Sequence, residues 1–194
     1  MSPIRRWLLK WARTAHMYLT LFGLGLLGFF AVTGFMLNHE DWFLAPEPHR
    51  VEMKGTIPAA MMQEPDKLAI VELLRKDYGA KGVLASFEIE EERFRIEFKG
   101  PGHGTEAIVE RESGSLEVTH ESRGSVGVML DLHRGKASGT AWSLVIDGLC
   151  ILVLIIAGTG FYLWMSLRSR GHYGLIVLAL GIILGIVVYF VWVP

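Results

Sequence analysis

Three long apolar runs mark the chain, and between the first two the hydrophobic residues follow a different rhythm. Met17 to Leu37 carries no charge, Ala141 to Leu167 carries only Asp147, and Tyr173 to Pro194 carries none. Each reaches the roughly 20 residues that a bilayer-crossing helix needs, so the pattern predicts three transmembrane helices. In the intervening stretch, Leu68, Ile70, Val71, Leu73 and Leu74 recur at helical spacing between Asp66 and Tyr78, with Gly79 as a natural stop. Phe87 and Ile89, then Phe94, Ile96 and Phe98, alternate with polar residues as strands with one buried face do. A second strand pair, Ala107 to Glu110 and Leu116 to Thr119, flanks the turn "RESGS". Residues 44 to 65, with Pro46, Pro48, Pro58 and Pro65, read as an extended connection.

The pattern therefore predicts a mainly α membrane protein, with a small α+β domain between its first two transmembrane helices. Its parts are a basic segment at 1–15, helices at 16–38, 141–167 and 173–194, the folded domain with its linkers at 39–140, and a short loop at 168–172. A helix on so small a sheet buries little surface, so support from the membrane or from a second copy of the chain is expected.

Composition agrees: 51% of residues are hydrophobic and the mean hydropathy is +0.36. Arg5, Arg6, Lys10 and Arg13 precede the first run, and Arg168 and Arg170 lie between the second and third. The positive-inside rule puts these regions and the N-terminus in the cytoplasm, with residues 39–140 and the C-terminus on the outer side. Leu37, Asn38, His39 and Glu40 offer no small-residue cleavage site, so the first run reads as an uncleaved anchor and the setting as a bacterial inner membrane, the outer domain being periplasmic. The net charge of −1, with cations gathered at the cytoplasmic edges, gives no support to nucleic-acid binding. Cys150 is the one cysteine, which excludes an intrachain disulfide and reads as a small apolar core residue.

Of the seven histidines, His49, His103 and His120 lie in polar, turn-rich sequence and read as surface residues. The other four stand at the ends of the apolar runs: His16 and His172 at the cytoplasmic edge, His39 and His133 at the outer edge. Two imidazoles at each membrane face suit a b-type cytochrome, since neutral histidine is a good axial ligand to heme iron. Histidine also settles at membrane interfaces as an amphipathic side chain, so placement alone leaves both readings open. His16 and His39 are 23 positions apart, about 35 Å along a helix at 1.5 Å per residue. That is long for one electron-transfer step; Phe29, Phe30 and Phe35 lie between as aromatic intermediates, or a single heme is present.

The remaining signals are weaker. Glycines recur in all three runs, and Gly181 to Gly185 forms a GxxxG helix-association pattern. Asp147, two turns inside the second run, calls for a partner such as a histidine N–H or Arg134, or for a proton path. Glu90, Glu91 and Glu92 read as a solvated hairpin turn. No HExxH, GxSxG or catalytic-cysteine setting suggests a peptidase, and no flavin or nicotinamide fingerprint appears.

"RTAHMYLTLFGLGLLGFFAVTGFMLNHEDWF", residues 13–43, resembles the first helix of PepSY-associated transmembrane-helix proteins, with its early His, central Thr-Gly and terminal Leu-Asn-His. "DLHRGKASGTAWSLVIDGLCILVLIIAGTGFYLW", residues 131–164, is similar to that family's second signature, and the helix-then-hairpins between them, including "ERESGSLEV", resemble a PepSY domain. The resemblance implies an iron-regulated inner-membrane protein related to heme-containing reductases that pass electrons to ferric siderophores in the periplasm. His16, His39 and His133 match motif positions, whereas His172 enters on topology alone. The chain has fewer spans than those reductases, and homodimerisation would supply what one copy lacks.

The function expected from these readings is transmembrane electron transfer by one or two b hemes per chain, with His16, His39, His133 and His172 as iron ligands. A quinol or a redox protein would be the donor and a ferric chelate or siderophore the acceptor, making the protein an oxidoreductase. The alternative is a cofactor-free, membrane-anchored PepSY module with a binding, regulatory or assembly role.

Overall fold

The structure is a computed structural model and describes residues 2–44, 47–58, 66–166 and 171–194. Helix α1 runs from Pro3 to Asn38 and is followed by the short α2, Glu40–Phe43. Strand β1 (His49–Thr56) and helix α3 (Lys67–Asp77) lead into β2 (Val83–Ile89), β3 (Arg93–Gly100), β4 (His103–Glu110) and β5 (Ser115–Ser122). Helices α4 (Gly124–Arg134), α5 (Gly139–Met165) and α6 (Gly171–Trp192) complete the chain. By contact density the chain divides into two compact units, Met1–Leu27 with Asp147–Pro194, and Gly28–Ile146.

Among the described residues three helices are long and apolar enough to cross a membrane: Pro3–Asn38, Gly139–Met165 and Tyr173–Trp192. The basic residues expected to form a separate leading segment instead occupy the first turns of α1, where Pro3 fits the first helical position because its missing N–H has no helical partner there. No side chain in the apolar window of α6 is buried. A helix that is apolar all round and unburied by its own chain needs lipid or another protein around it. Cys150, read from sequence as a core residue, is exposed on the surface of α5.

The second unit contains a five-stranded antiparallel sheet in the order β1-β5-β4-β3-β2. Alternation in β3, β4 and β5 sends Phe94, Ile96, Phe98, Ala107, Val109, Leu116 and Val118 to one face, all essentially inaccessible. Ile70, Val71 and Leu74 of α3 pack onto that face as one core cluster. Helix α3 starts where the Asp66 carboxylate accepts from the backbone N–H groups of Leu68 and Ala69, and it stops before Gly79, whose φ of 68° is left-handed. The other face is polar and carries the cross-strand pairs Arg50–Glu121, Arg95–Glu106 and Lys54–Glu117.

Two elements depart from the sequence reading. The extended connection contains β1, which pairs with β5 from His49↔Ser122 to Thr56↔Ser115. As an edge strand it is exposed along nearly its whole length, and its short alternation of Val51 and Met53 with Arg50, Glu52 and Lys54 lies in a proline-flanked stretch that reads as a connection. The stretch before α5 forms α4, ended by Gly135 in the left-handed region at φ 67°. Asp131 ties α4 to the sheet: its buried carboxylate accepts from the Gly102 N–H at 2.8 Å and pairs with Arg123 at 3.0 Å. Gly102 sits in the two-residue β3–β4 turn at φ 70°, and a Cβ there would run into the Val128 backbone, so both the turn and the approach of α4 require glycine.

Candidate functional site

The four end-of-run histidines meet different surroundings. In the second unit, His133 occupies the last turn of α4. Its Nδ1 lies 2.7 Å from the Thr33 hydroxyl on α1. Thr33 is buried, and its own proton is directed to the Phe29 carbonyl at 2.6 Å, the usual i−4 bond of a helical threonine. With that proton committed, Thr33 accepts from His133, so the neutral imidazole carries its proton on Nδ1 and leaves a lone pair on Nε2. Phe30 packs against the ring at 5.0 Å, and Gly34 opens room beside it, because a Cβ at Gly34 would stand 3.2 Å from the His133 Cε1. Trp142 steadies the same corner by donating its indole N–H to the Leu132 carbonyl at 2.8 Å.

His16 in the first unit repeats this arrangement on other helices. Its Nδ1 is 3.0 Å from the Ile156 carbonyl and 3.0 Å from the Thr159 hydroxyl, both on α5. A carbonyl only accepts, so Nδ1 again bears the proton and Nε2 the lone pair. Thr159 points its proton at the Ile155 carbonyl at 2.8 Å, as Thr33 does at Phe29. Gly160 lies beside the ring, and a Cβ there would be 3.0 Å from the His16 Cε1.

The parallel is written in the sequence. Ala31-Val32-Thr33-Gly34-Phe35 on α1 and Ala157-Gly158-Thr159-Gly160-Phe161 on α5 share the pattern Ala-x-Thr-Gly-Phe. In each copy the threonine receives a histidine from another helix and the following glycine makes space for the ring. Thr33 and Thr159 were not among the residues singled out from sequence, and this five-residue repeat is the signal that finds them.

His39 is placed differently. It stands between α1 and α2, stacked on Trp42 with centroids 4.1 Å apart and planes 15° apart, and flanked by Phe35 at 4.7 Å. No hydrogen bond or ring contact joins it to His133 among the described residues. His172 was named as a candidate, but its side chain lies outside the described residues. Arg134, weighed as a partner for Asp147, instead pairs with Glu40 of α2. Asp147 is exposed on α5 and makes no hydrogen bond or ion pair among the described residues.

Two histidines read as plain surface residues do more. The neutral His120 ring bridges β4 and the end of α3, its Nδ1 2.9 Å from the Thr105 hydroxyl and its Nε2–H donating to the Tyr78 carbonyl at 2.9 Å. His103 donates from Nδ1 to the Pro101 carbonyl at 3.0 Å and has its Nε2 buried without a partner.

Chemically, the neutral form of His16 and of His133 has its Nδ1–H anchored and its Nε2 without a hydrogen-bond partner among the described residues. A metal-ligating histidine is held in this way, the outer bond fixing tautomer and ring orientation. The donor type therefore fits the axial positions of heme iron. Among the described residues no group of three or more His, Cys, Asp or Glu side chains is placed to hold a bare metal ion.

No curated protein and no solved structure matches the chain. The model of one family does, the one described as Putative PepSY_TM-like, and it takes in residues 4–194. With nearly its whole length matched, the chain belongs to the PepSY_TM-like family.

Proposed function

We propose that the protein is a heme b-binding membrane protein that passes electrons across the bacterial inner membrane to ferric iron or a ferric siderophore on the periplasmic side. The observation that carries this reading is the twice-used clamp in which a threonine hydroxyl accepts the Nδ1–H of a histidine and leaves the Nε2 lone pair available to a metal, at His16 and at His133. A surface or merely interfacial histidine has no need of a fixed tautomer. His16 and His133 are the primary ligands in this account, with His172 and His39 as their second ligands. The N-terminus lies in the cytoplasm and the C-terminus in the periplasm, as the basic residues of α1 and of the α5–α6 connection suggest.

Heme, when bound, supplies reversible one-electron exchange at its iron. The chain's own residues orient the ligands and keep water away. Thr33 and Thr159 hold the imidazole protons at Nδ1, Gly34 and Gly160 give the rings space, and Phe30 walls one ring with an apolar face. A quinol or a redox protein is the donor, and a second copy of the chain is the natural source of any ligand that one copy lacks.

A second reading has an observation in its favour. His16 and His133 each already join two helices by hydrogen bonds, which is structural work that needs no cofactor. On that reading the protein is a colourless, membrane-anchored PepSY module. His16→Ala and His133→Ala separate the two. If heme is bound, each variant loses heme absorbance while the protein stays folded; if the clamps are structural only, neither changes absorbance and both lower thermal stability.

A further inference from the structure

A cavity of about 360 Å³ opens at the end of the sheet where the β3–β4 turn meets α4 and the residues leading into α5. Three cations line it: Lys99 from β3, Arg123 at the start of α4, and Lys136, three residues before α5. Two carboxylates line it as well, and both are already paired, Asp131 within the cavity and Glu121 outside it. Asp131 is held by the Gly102 N–H and by Arg123, and Glu121 is held by Arg50 at 2.6 Å. Their negative charge is thus answered inside the fold.

The cations are less fully answered. Lys136 forms no ion pair among the described residues, and Lys99 pairs with Glu97 of its own strand at 2.6 Å while its side chain stays exposed. Arg123 gives one nitrogen, Nη2, to Asp131 and keeps the other N–H groups of its five-donor fork. His103 adds a half-buried imidazole with an unpartnered Nε2. Gly100 and Gly102 let the His103 ring and the Val128 backbone pack against the turn that forms this rim.

We propose that this cavity is an oxyanion-binding site that takes a phosphate or polycarboxylate group, with Lys99, Arg123 and Lys136 as its cationic contacts. Spaced lysines together with an arginine fork match a multi-oxygen anion better than a single point charge. The chemistry has two possible sources, a soluble anion such as citrate or inorganic phosphate, and the phosphate of an anionic lipid headgroup beside the start of α5. The site is independent of heme, since none of its residues belongs to the histidine clamps.

The test uses the full chain in neutral detergent. Calorimetric titration with citrate and with inorganic phosphate probes the soluble source, and native mass spectrometry with phosphatidylglycerol against phosphatidylcholine probes the lipid source. The double variant Lys99→Gln/Lys136→Gln is compared with Lys54→Gln, an exposed lysine outside the cavity. Both lysines of the pair are on the surface, so the fold survives their loss. Binding of citrate or phosphate that falls at least tenfold in the double variant and holds in Lys54→Gln establishes a soluble ligand. Selective retention of phosphatidylglycerol with the same dependence establishes a headgroup. No anion binding by the wild type, or binding undiminished in the double variant, overturns the proposal.

Discussion

His133 on α4 and Thr33 on α1 are joined by a 2.7 Å hydrogen bond in which the imidazole donates, because the threonine's own proton is already engaged by the Phe29 carbonyl. One hydroxyl thus decides where the imidazole proton sits and which nitrogen is free. Thr33→Val keeps the side-chain shape and removes the acceptor. A half-buried N–H left unpaired costs about 1–3 kcal/mol, so thermal unfolding in detergent should show a lower midpoint for Thr33→Val and a largely restored one for Thr33→Ser. Imidazole nitrogen chemical shifts should report a mixed tautomer at His133 in the valine variant only.

The glycines beside the rings give a second expectation. Gly34→Ala and Gly160→Ala place a methyl group 3.2 Å and 3.0 Å from the Cε1 of His133 and His16. Each ring must tilt, and the hydrogen bond at its Nδ1 should lengthen. Gly25→Ala and Gly28→Ala, on the same helix as Gly34, meet nothing within 4 Å and serve as controls. Overpacking of this kind costs about 1–3 kcal/mol, so the first pair should unfold at lower temperature while the control pair stays close to wild type.

The sheet unit has its own prediction. Phe94 and Phe98 are fully buried, whereas Leu68 on α3 is 70% exposed. Phe98→Ala should destabilise the unit by about 3–5 kcal/mol, and Leu68→Ala should stay within about 0.5 kcal/mol. Hydrogen exchange of the β3 and β4 amides reads this unit separately from the membrane helices.

Asp131 gives a fourth. Asp131→Asn keeps the shape but removes the charge that holds Arg123 and weakens the acceptor for the Gly102 N–H. The expected loss is about 1–3 kcal/mol, with faster exchange of the Gly102 amide and earlier proteolysis within α4. An unchanged exchange rate would show that α4 is held to the sheet by other contacts.

The long apolar helices were legible from the length of their uncharged runs, and α3 and the strands β2 to β5 from a hydrophobic period bounded by glycines or by the capping Asp66. β1 was hidden by the prolines around it, which suggested a connection, although Val51 and Met53 alternate there with Arg50, Glu52 and Lys54. α4, no shorter than α3, was hidden by Gly124 and Gly127, which lower helix propensity. At the site, the histidines were legible through their places at the ends of apolar runs. Their partners were not, because a threonine inside an apolar helix reads as a weakly polar filler until a histidine from another helix is seen on it. Of the partners considered for Asp147, a histidine N–H, Arg134 or a proton path, Arg134 is taken by Glu40.

The most direct test of the central claim, that the Nε2 atoms of His16 and His133 coordinate heme iron, is the absorption spectrum of the detergent-purified protein, oxidised and then dithionite-reduced, with pyridine hemochrome quantification. The account predicts sharp reduced bands of a low-spin b-type heme at one or two hemes per chain. A protein that stays colourless when produced with ample heme would contradict it and leave the cofactor-free PepSY module as the better description.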